Sequence, residues 1–246
     1  MKKSVFTIES VRCLTGGVYE LAMAGDTSAI TAPGQFVNLA LPGKFLRRPI
    51  SVCDWDEGSL TLLVKEAGEG TRELVRMPHG AKLDVLSGLG NGFDLSRAES
   101  RPVLAGGGIG IAPLFGLARR MVENGTPPAA VALGFRTAKD VFYKEEFASL
   151  GCPVLLSTED GSIGTRGFVT DLIQSAADCA YVMACGPLPM LKAVHGLPQL
   201  RGGQFSFEAR MGCGFGACMG CTVPTAGGYK RICKDGPVLF WEEIVW

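Results

Sequence analysis

Histidine is nearly absent: the 246 residues include two, His79 and His195. His79 falls in a Pro-His-Gly turn and His195 ends a predicted helix, so both are read as structural or surface residues. Imidazole acid–base catalysis is therefore not expected. An excess of one charge is also missing, with 24 Lys and Arg against 24 Asp and Glu. That balance excludes an electrostatic nucleic-acid binder, which carries a basic excess. No apolar run reaches the roughly 18 residues of a membrane-spanning helix. In the opening MKKSVFTIES no apolar core follows the lysines, and Glu9 and then Arg12 interrupt the stretch. No signal peptide is expected, and the setting is taken as cytoplasmic.

Glycine and cysteine are plentiful. There are 34 glycines, about twice the usual ~7% share, and nine cysteines. Nine is odd, so they cannot all pair within the chain. In a reducing compartment, clustered cysteines signal metal or redox chemistry more than disulfides. A hydrophobic fraction of 47% is ample for cores and excludes a disordered chain. At roughly 150 residues per domain the length suggests one or two domains and a small appendage.

The first hundred residues predict short strands: Val5–Ile8, Val18–Ala22, Phe36–Leu39, Ile50–Cys53, Leu60–Val64 and Lys82–Leu86. Glycine- and proline-bearing turns separate them, the pattern of a small barrel or sandwich. From about Arg101 strands alternate with helices. Pro102–Ala105, Val131–Phe135, Val154–Ser157 and Tyr181–Cys185 predict strands. Ile111, Leu114, Phe115, Ala118, Met121 and Val122 share one helix face. Glu145–Leu150 and Phe168–Ala177 predict further helices. Such alternation implies a parallel sheet covered on both faces. After about Gly202 no period is strong.

Cys213, Cys218, Cys221 and Cys233 have the spacing C-x4-C-x2-C-x11-C. The first three match the plant-type [2Fe–2S] run. Gly212, Gly214, Gly216 and Gly220 lie in or beside it, where backbone N–H groups can turn toward sulfur. A four-cysteine zinc site or unligated thiols remain as alternatives. Cys13, Cys53, Cys152 and Cys179 are expected to be small buried apolar residues.

Gly106, Gly107, Gly108, Ile109 and Gly110 join a strand to a helix N-terminus. Phosphates bind there, because free N–H groups face the anion; a turn needed only for packing is the alternative. Cys185 and Gly186, before Pro187, end the fourth strand of the alternating region, where ligands of open α/β sheets sit. Thr158-Glu159-Asp160 ends the third, and its acids suit ribose hydroxyls or an ordinary turn. Arg47 and Arg48, with Pro49, Ile50 and Ser51 behind them, suit a pyrophosphate and a ring nitrogen, or a solvated turn. Lys65–Thr71 is a hairpin turn or a phosphate loop leading into a helix.

In order, PGQF (Pro33–Phe36), RPIS (Arg48–Ser51), Gly70-Thr71, AGGGIGIAP (Ala105–Pro113) and CGP (Cys185–Pro187) resemble the ferredoxin–NADP reductase superfamily. The cysteine loop, GNGFDL (Gly90–Leu95), CKDGPV (Cys233–Val238) and the tail EEIVW narrow the likeness. Over essentially its whole length the chain resembles electron transfer subunits of bacterial type B, NAD-dependent dihydroorotate dehydrogenases. The resemblance implies an antiparallel FAD-binding β-barrel over 1–98. It implies a doubly wound, parallel-sheet nicotinamide-binding α/β domain over 99–202 and a small [2Fe–2S] domain over 203–246.

FAD would be held by Arg48, Pro49, Ile50 and Ser51, by Leu63, Val64 and Lys65, and by Gly70 and Thr71. NAD would lie on Gly106, Gly107, Gly108, Ile109 and Gly110 and on Cys185 and Gly186. The four clustered cysteines would carry the [2Fe–2S] group. The implied partner is an FMN-containing dihydroorotate dehydrogenase catalytic subunit, two of each chain forming a heterotetramer. The chain is too short to add a ~250-residue barrel of its own. The x11 gap is short for this family. One rival is the small FAD/[2Fe–2S] subunit of an NADH:ferredoxin–NADP oxidoreductase or sulfide dehydrogenase. In those relatives an aspartate can replace the first ligand, where this chain has Cys213. A zinc-stabilised adaptor with a reductase fold is the non-enzymatic rival.

Overall fold

The structure is a computed structural model that describes residues 1–97, 101–176 and 179–246. Strands β1 (Lys2–Thr15), β2 (Val18–Ala24), β3 (Phe36–Leu39), β4 (Arg48–Asp56), β5 (Ser59–Lys65) and β6 (Lys82–Leu89) close an antiparallel barrel. Around it the order is β1-β2-β5-β4-β3-β6. Alternation decides the inside. Val37 and Leu39 of β3, and Leu60, Leu62 and Val64 of β5, fill the barrel. Phe36 and Leu63 point outward into other cores. Between β5 and β6 lies a short helix, α1 (Glu69–Leu74), so Lys65–Thr71 is the helix-leading loop.

The second half contains β7 (Val103–Gly107), α2 (Ala112–Glu123), β8 (Ala130–Phe135), α3 (Lys144–Ser149), β9 (Val154–Thr158) and β10 (Thr165–Arg166). Next come α4 (Val169–Ser175), β11 (Tyr181–Cys185), α5 (Leu188–His195) and β12 (Gly202–Ser206). The last stretch contributes β13 (Thr222–Thr225), β14 (Gly228–Arg231) and β15 (Val238–Phe240). One sheet runs β10-β9-β8-β7-β11-β12-β15, parallel except for β15. Its strands are sealed on both faces. Leu104, Val131, Leu133 and Met183 pack with α2 residues, while Val103, Ala105, Ala132, Val182 and Ala184 pack with those of α4 and α5. The chain steps from β7 out to β10, then returns to lay β11 on the other side of β7. That reversal opens a crevice above the C-terminal ends of β7 and β11.

The sheet continues past residue 202. β12 pairs with β11 over residues 202–206, and β15 closes the edge. β12 opens on two glycines and buries the polar Gln204 and Ser206, and β15 is three residues long, so neither shows the apolar run that marks the other buried strands. The expected 98/99 boundary and the expected helix end at 177 lie outside the described residues. The GNGFDL segment fastens the parts together. Asn91 exchanges two hydrogen bonds with the Val238 backbone, at 2.8 and 3.1 Å. Buried Gln204 accepts from the Asp94 amide at 2.7 Å and donates to the Asp94 carbonyl at 2.9 Å. Among the described residues no helix is long and apolar enough to cross a membrane.

Candidate functional site

A cleft of about 550 Å³ lies over the crevice. Gly107, Gly108 and Ile109 form one wall, with Gly134–Arg136 and Glu159 beside them. Pro187 and Met190 approach from the β11 side, and Thr15, Gly16 and Lys65 from the barrel. The glycines divide by purpose. A Cβ on Gly110 would lie 2.5 Å from the Cys185 carbonyl oxygen and 2.6 Å from the Gly186 Cα. One on Gly106 would lie 2.6 Å from Ile111 Cγ2. Gly108 has φ +54° and nothing within 4 Å of its Cβ position, leaving its backbone open to a ligand. The two nucleotide motifs thus meet as one platform. Glu159 lines the cleft, whereas Asp160 folds back to accept from Ser162 at 2.6 and 3.0 Å.

The flavin motifs also converge. The Arg48 guanidinium lies against Gly70, where any side chain would strike it. Thr71 Oγ1 accepts from the amides of Ala67 and Gly68 at 2.9 and 3.1 Å and shapes that loop. Ser51 stands opposite Phe36, and Pro49 opposite Asn38. Val64 is buried inside the barrel, so it can offer a ligand only backbone. Lys65 is exposed at the cleft. These residues fit a phosphate-bearing flavin lying along β4 and β5.

Two pairs of thiols form. Cys213 and Cys218 exchange amide-to-sulfur hydrogen bonds of 3.4 Å, and the Ala217 amide donates to Cys213 Sγ at 3.3 Å. The Cys233 amide donates to Cys221 Sγ at 3.4 Å. Among the described residues no group of three or more His, Cys, Asp or Glu gathers as a single-ion site. Two pairs fit a two-iron cluster, which takes two thiolates on each iron. Burial pushes the Cys213 thiol up, but the Cys218 and Phe215 amides, the Cys218 thiol and the Ala217 amide outweigh it and bring it down to about 6. Cys233 is pushed up to about 12 by burial and by Cys221. Phe215 and Met219 are exposed beside the loop, and Trp246 lies 5.7 Å from the Phe207 ring.

The other cysteines are free thiols. Cys53, Cys152 and Cys179 are buried as expected. Cys13 is exposed instead, on the solvent side of β1 with its thiol donating to the Thr15 carbonyl. Cys185 is buried; burial first and then Glu208 push its thiol up to about 12, against a hydrogen bond from Ser206. It is neutral at pH 7. His79 is exposed, and His195 stacks on Trp241 at 4.0 Å.

Three residues escaped the sequence reading. Glu208 follows β12, with its carboxyl pushed up by burial against the pull of Lys65. Asn38, 1% exposed, donates through Nδ2 to the Cys213 carbonyl at 3.0 Å. Tyr143 donates to Glu20 at 2.7 Å across the barrel–sheet junction. A polar residue on an alternating strand was the only available signal for Asn38, and nothing marked the other two.

Comparison with known proteins agrees with this arrangement. Residues 208–245 match the iron-sulfur cluster binding domain of dihydroorotate dehydrogenase B, and residues 104–196 the oxidoreductase NAD-binding domain. The dihydroorotate dehydrogenase B (NAD(+)) electron transfer subunit of Bacillus mycoides is 40% identical, covering 100% of this chain and 99% of its own. That of a Geobacillus species (strain WCH70) is 42% identical with the same coverage. Among solved structures, an NADH-dependent reduced ferredoxin-NADP oxidoreductase superposes with a TM-score of 0.86 at 29% identity, covering 98% of this chain and 89% of that one. The ferredoxin reductase of carbazole 1,9a-dioxygenase, at 21% identity and a TM-score of 0.69 over 83% of this chain and 68% of that one, shares the fold. The expected barrel, α/β sheet and iron–sulfur region are all present, with FAD, a [2Fe–2S] cluster and NAD as the cofactors of this oxidoreductase subunit. By full-length identity at this level, the chain belongs to the family of electron transfer subunits of NAD-dependent dihydroorotate dehydrogenase B.

Proposed function

We propose that the chain relays electrons from an FMN-bearing catalytic subunit to NAD⁺ along three adjacent barrel strands. The carrying observation is the strand order β3-β4-β5. Outside β3 lies the cysteine loop, joined through Asn38 and through Phe36, which packs with Cys221 and Cys233. Next, β4 carries Arg48, Pro49, Ile50 and Ser51. Then β5 carries Leu63, Val64 and Lys65, and Lys65 borders the nucleotide cleft. At ~4.8 Å per strand the span from β3 to β5 is about 10 Å. When bound, the cluster passes single electrons and FAD converts them to the pair that NAD⁺ takes as hydride, which sets the order FMN, [2Fe–2S], FAD, NAD⁺.

Each group of residues has a holding role. Arg48, with Gly70 and Thr71, holds flavin phosphate; Ser51 bonds the ring; Leu63, Val64 and Lys65 flank it. Gly106–Gly110 and Cys185-Gly186 support the nicotinamide nucleotide, and Glu159 suits a free ribose hydroxyl better than a phosphate. Cys213, Cys218, Cys221 and Cys233 ligate iron. Residues 1–98, 99–202 and 203–246 serve flavin, nucleotide and cluster, with β12 and β15 of the last stretch completing the nucleotide sheet. The complex is a cytoplasmic heterotetramer of two chains of each kind.

Anaerobic purification should yield FAD with about two irons and two sulfides per chain. The chain alone should oxidise NADH with a dye acceptor. Orotate should form from dihydroorotate and NAD⁺ only when the catalytic subunit is co-expressed. Orotate formation by the chain alone would refute the proposal, and so would a colourless, zinc-loaded protein. The likeness to the ferredoxin-NADP oxidoreductase favours a second reading with a different partner. Co-purification with a second FAD/iron–sulfur subunit, and no FMN partner, would establish it.

A further inference from the structure

We propose that Asn38 is the positioning residue that registers the Cys213/Cys218 half of the cluster loop on the flavin barrel; the inference rests on the cluster assignment above.

β3 presents two side chains on its outer face, and each meets one thiol pair. Phe36 packs in the core that holds Cys221 and Cys233. Asn38 reaches the other pair, donating from Nδ2 to the Cys213 carbonyl at 3.0 Å. The fit is tight. Gly214 has φ +77°, and a Cβ there would run into the Asn38 carboxamide. The carboxamide therefore abuts the Cys213–Gly214 peptide and leaves no room for a side chain at 214. Its own strand is pinned in turn, because Arg47 donates to the Asn38 carbonyl at 3.2 Å and pairs with Asp84 at 2.6 Å. Across β4 its neighbour is Pro49 of the flavin motif. One side chain thus links the flavin strand to the loop.

The placement is costly. Asn38 is 1% exposed, and its Oδ1 has no hydrogen-bond partner among the described residues. An orphan acceptor of this kind destabilises the fold. A leucine would fill the same space without that loss, so the donor contact with Cys213 is the feature an amide adds. Fixing the Cys213 carbonyl fixes the orientation of the peptides that follow. Those peptides carry the amides of Ala217 and Cys218 that point at Cys213 Sγ. Hydrogen bonds to cluster sulfur stabilise the more negative, reduced form and raise the potential. Asn38 acts through them.

The test uses the full chain, with Asn38→Ala and the uncharged Asn38→Leu, which keeps about the same volume and removes the donor. Iron, sulfide and FAD are assayed. The cluster is then followed by electron paramagnetic resonance during a redox titration. Both variants should retain FAD and show a shifted spectrum with a lower cluster midpoint potential. Iron loss with FAD retained also supports the inference. An unchanged spectrum and potential in Asn38→Leu, at full iron and FAD, would overturn it. If Asn38→Ala does not fold, Asn38→Leu decides alone. Absence of iron from the unmodified chain is a separate outcome, which overturns the cluster assignment itself.

Discussion

Gly110 shows how closely the two nucleotide loops approach. The atoms a Cβ would meet are the Cys185 carbonyl and the Gly186 Cα, both backbone. Neither can rotate aside, so Gly110→Ala must separate the loops. A displacement near 1 Å at a nucleotide platform can cost up to ~100-fold. The expected result is a 10- to 100-fold loss in kcat/KM for NADH with a dye acceptor, with iron and FAD contents unchanged. Steady-state kinetics beside cofactor assays check this. Gly108 gives a contrast at the same scale. Space at its Cβ position is open, but φ +54° strains a non-glycine backbone, so alanine there should act through loop conformation alone. Both motifs could be found from residue types. Which glycine is sterically required could not, because the obstructing atoms belong to a segment some 75 residues away.

At the scale of elements, the strands were legible where apolar and β-branched residues run together between turn residues. β3 coincides with its expected Phe36–Leu39, and β1, β2, β4, β5 and β6 each extend an expected segment. β12 and β15 were missed because the first is glycine-rich with buried polar Gln204 and Ser206 and the second is only three residues long. The ties between barrel and sheet were hidden for another reason: their partners are distant in sequence. Arg119 of α2 pairs with Asp54 at 2.8 Å and Asp56 at 3.0 Å on β4. Tyr143, at the start of α3, sits edge-on to Phe115 at 5.1 Å and donates to Glu20 on β2. Burial raises the Glu20 carboxyl, but hydrogen bonds from Arg12 and Tyr143 outweigh it and leave the pKa below the ordinary value. A depressed carboxylate pKa stabilises the fold above the unfolded value near ~4.3, and the contribution is lost as pH falls through the folded-state pKa. Tyr143→Phe should therefore cost about 1 kcal/mol at pH 7, or roughly 2–4 °C in Tm. The difference from the parent should shrink below pH 4. Thermal melts at pH 7 and in acid decide, and an equal difference at both would show that the ionised contact contributes nothing.

For the whole molecule, the proposed assignment puts a nicotinamide end and a cluster end on either side of the flavin strands. Damage at one end should then leave the reaction at the other intact. Cys233 is suited to test this, since it is buried in the core shared by Phe36, Ile232 and Leu239 and does not line the cleft bordered by Thr15, Gly16 and Lys65. Cys233→Ser removes one of the buried thiol pair and changes little volume. With the catalytic subunit bound, NAD⁺-linked orotate formation should fall at least ~100-fold. NADH oxidation with a two-electron dye should stay within about twofold, because a dye can take electrons directly from flavin. The catalytic subunit should still oxidise dihydroorotate when a dye is supplied on its side. Gly110→Ala should give the complementary pattern, with NADH–dye activity impaired and the iron–sulfur signal retained. If Cys233→Ser lost both half-reactions while keeping FAD, electrons would not pass along β3, β4 and β5 in sequence. The cluster would instead be a structural support for the flavin site.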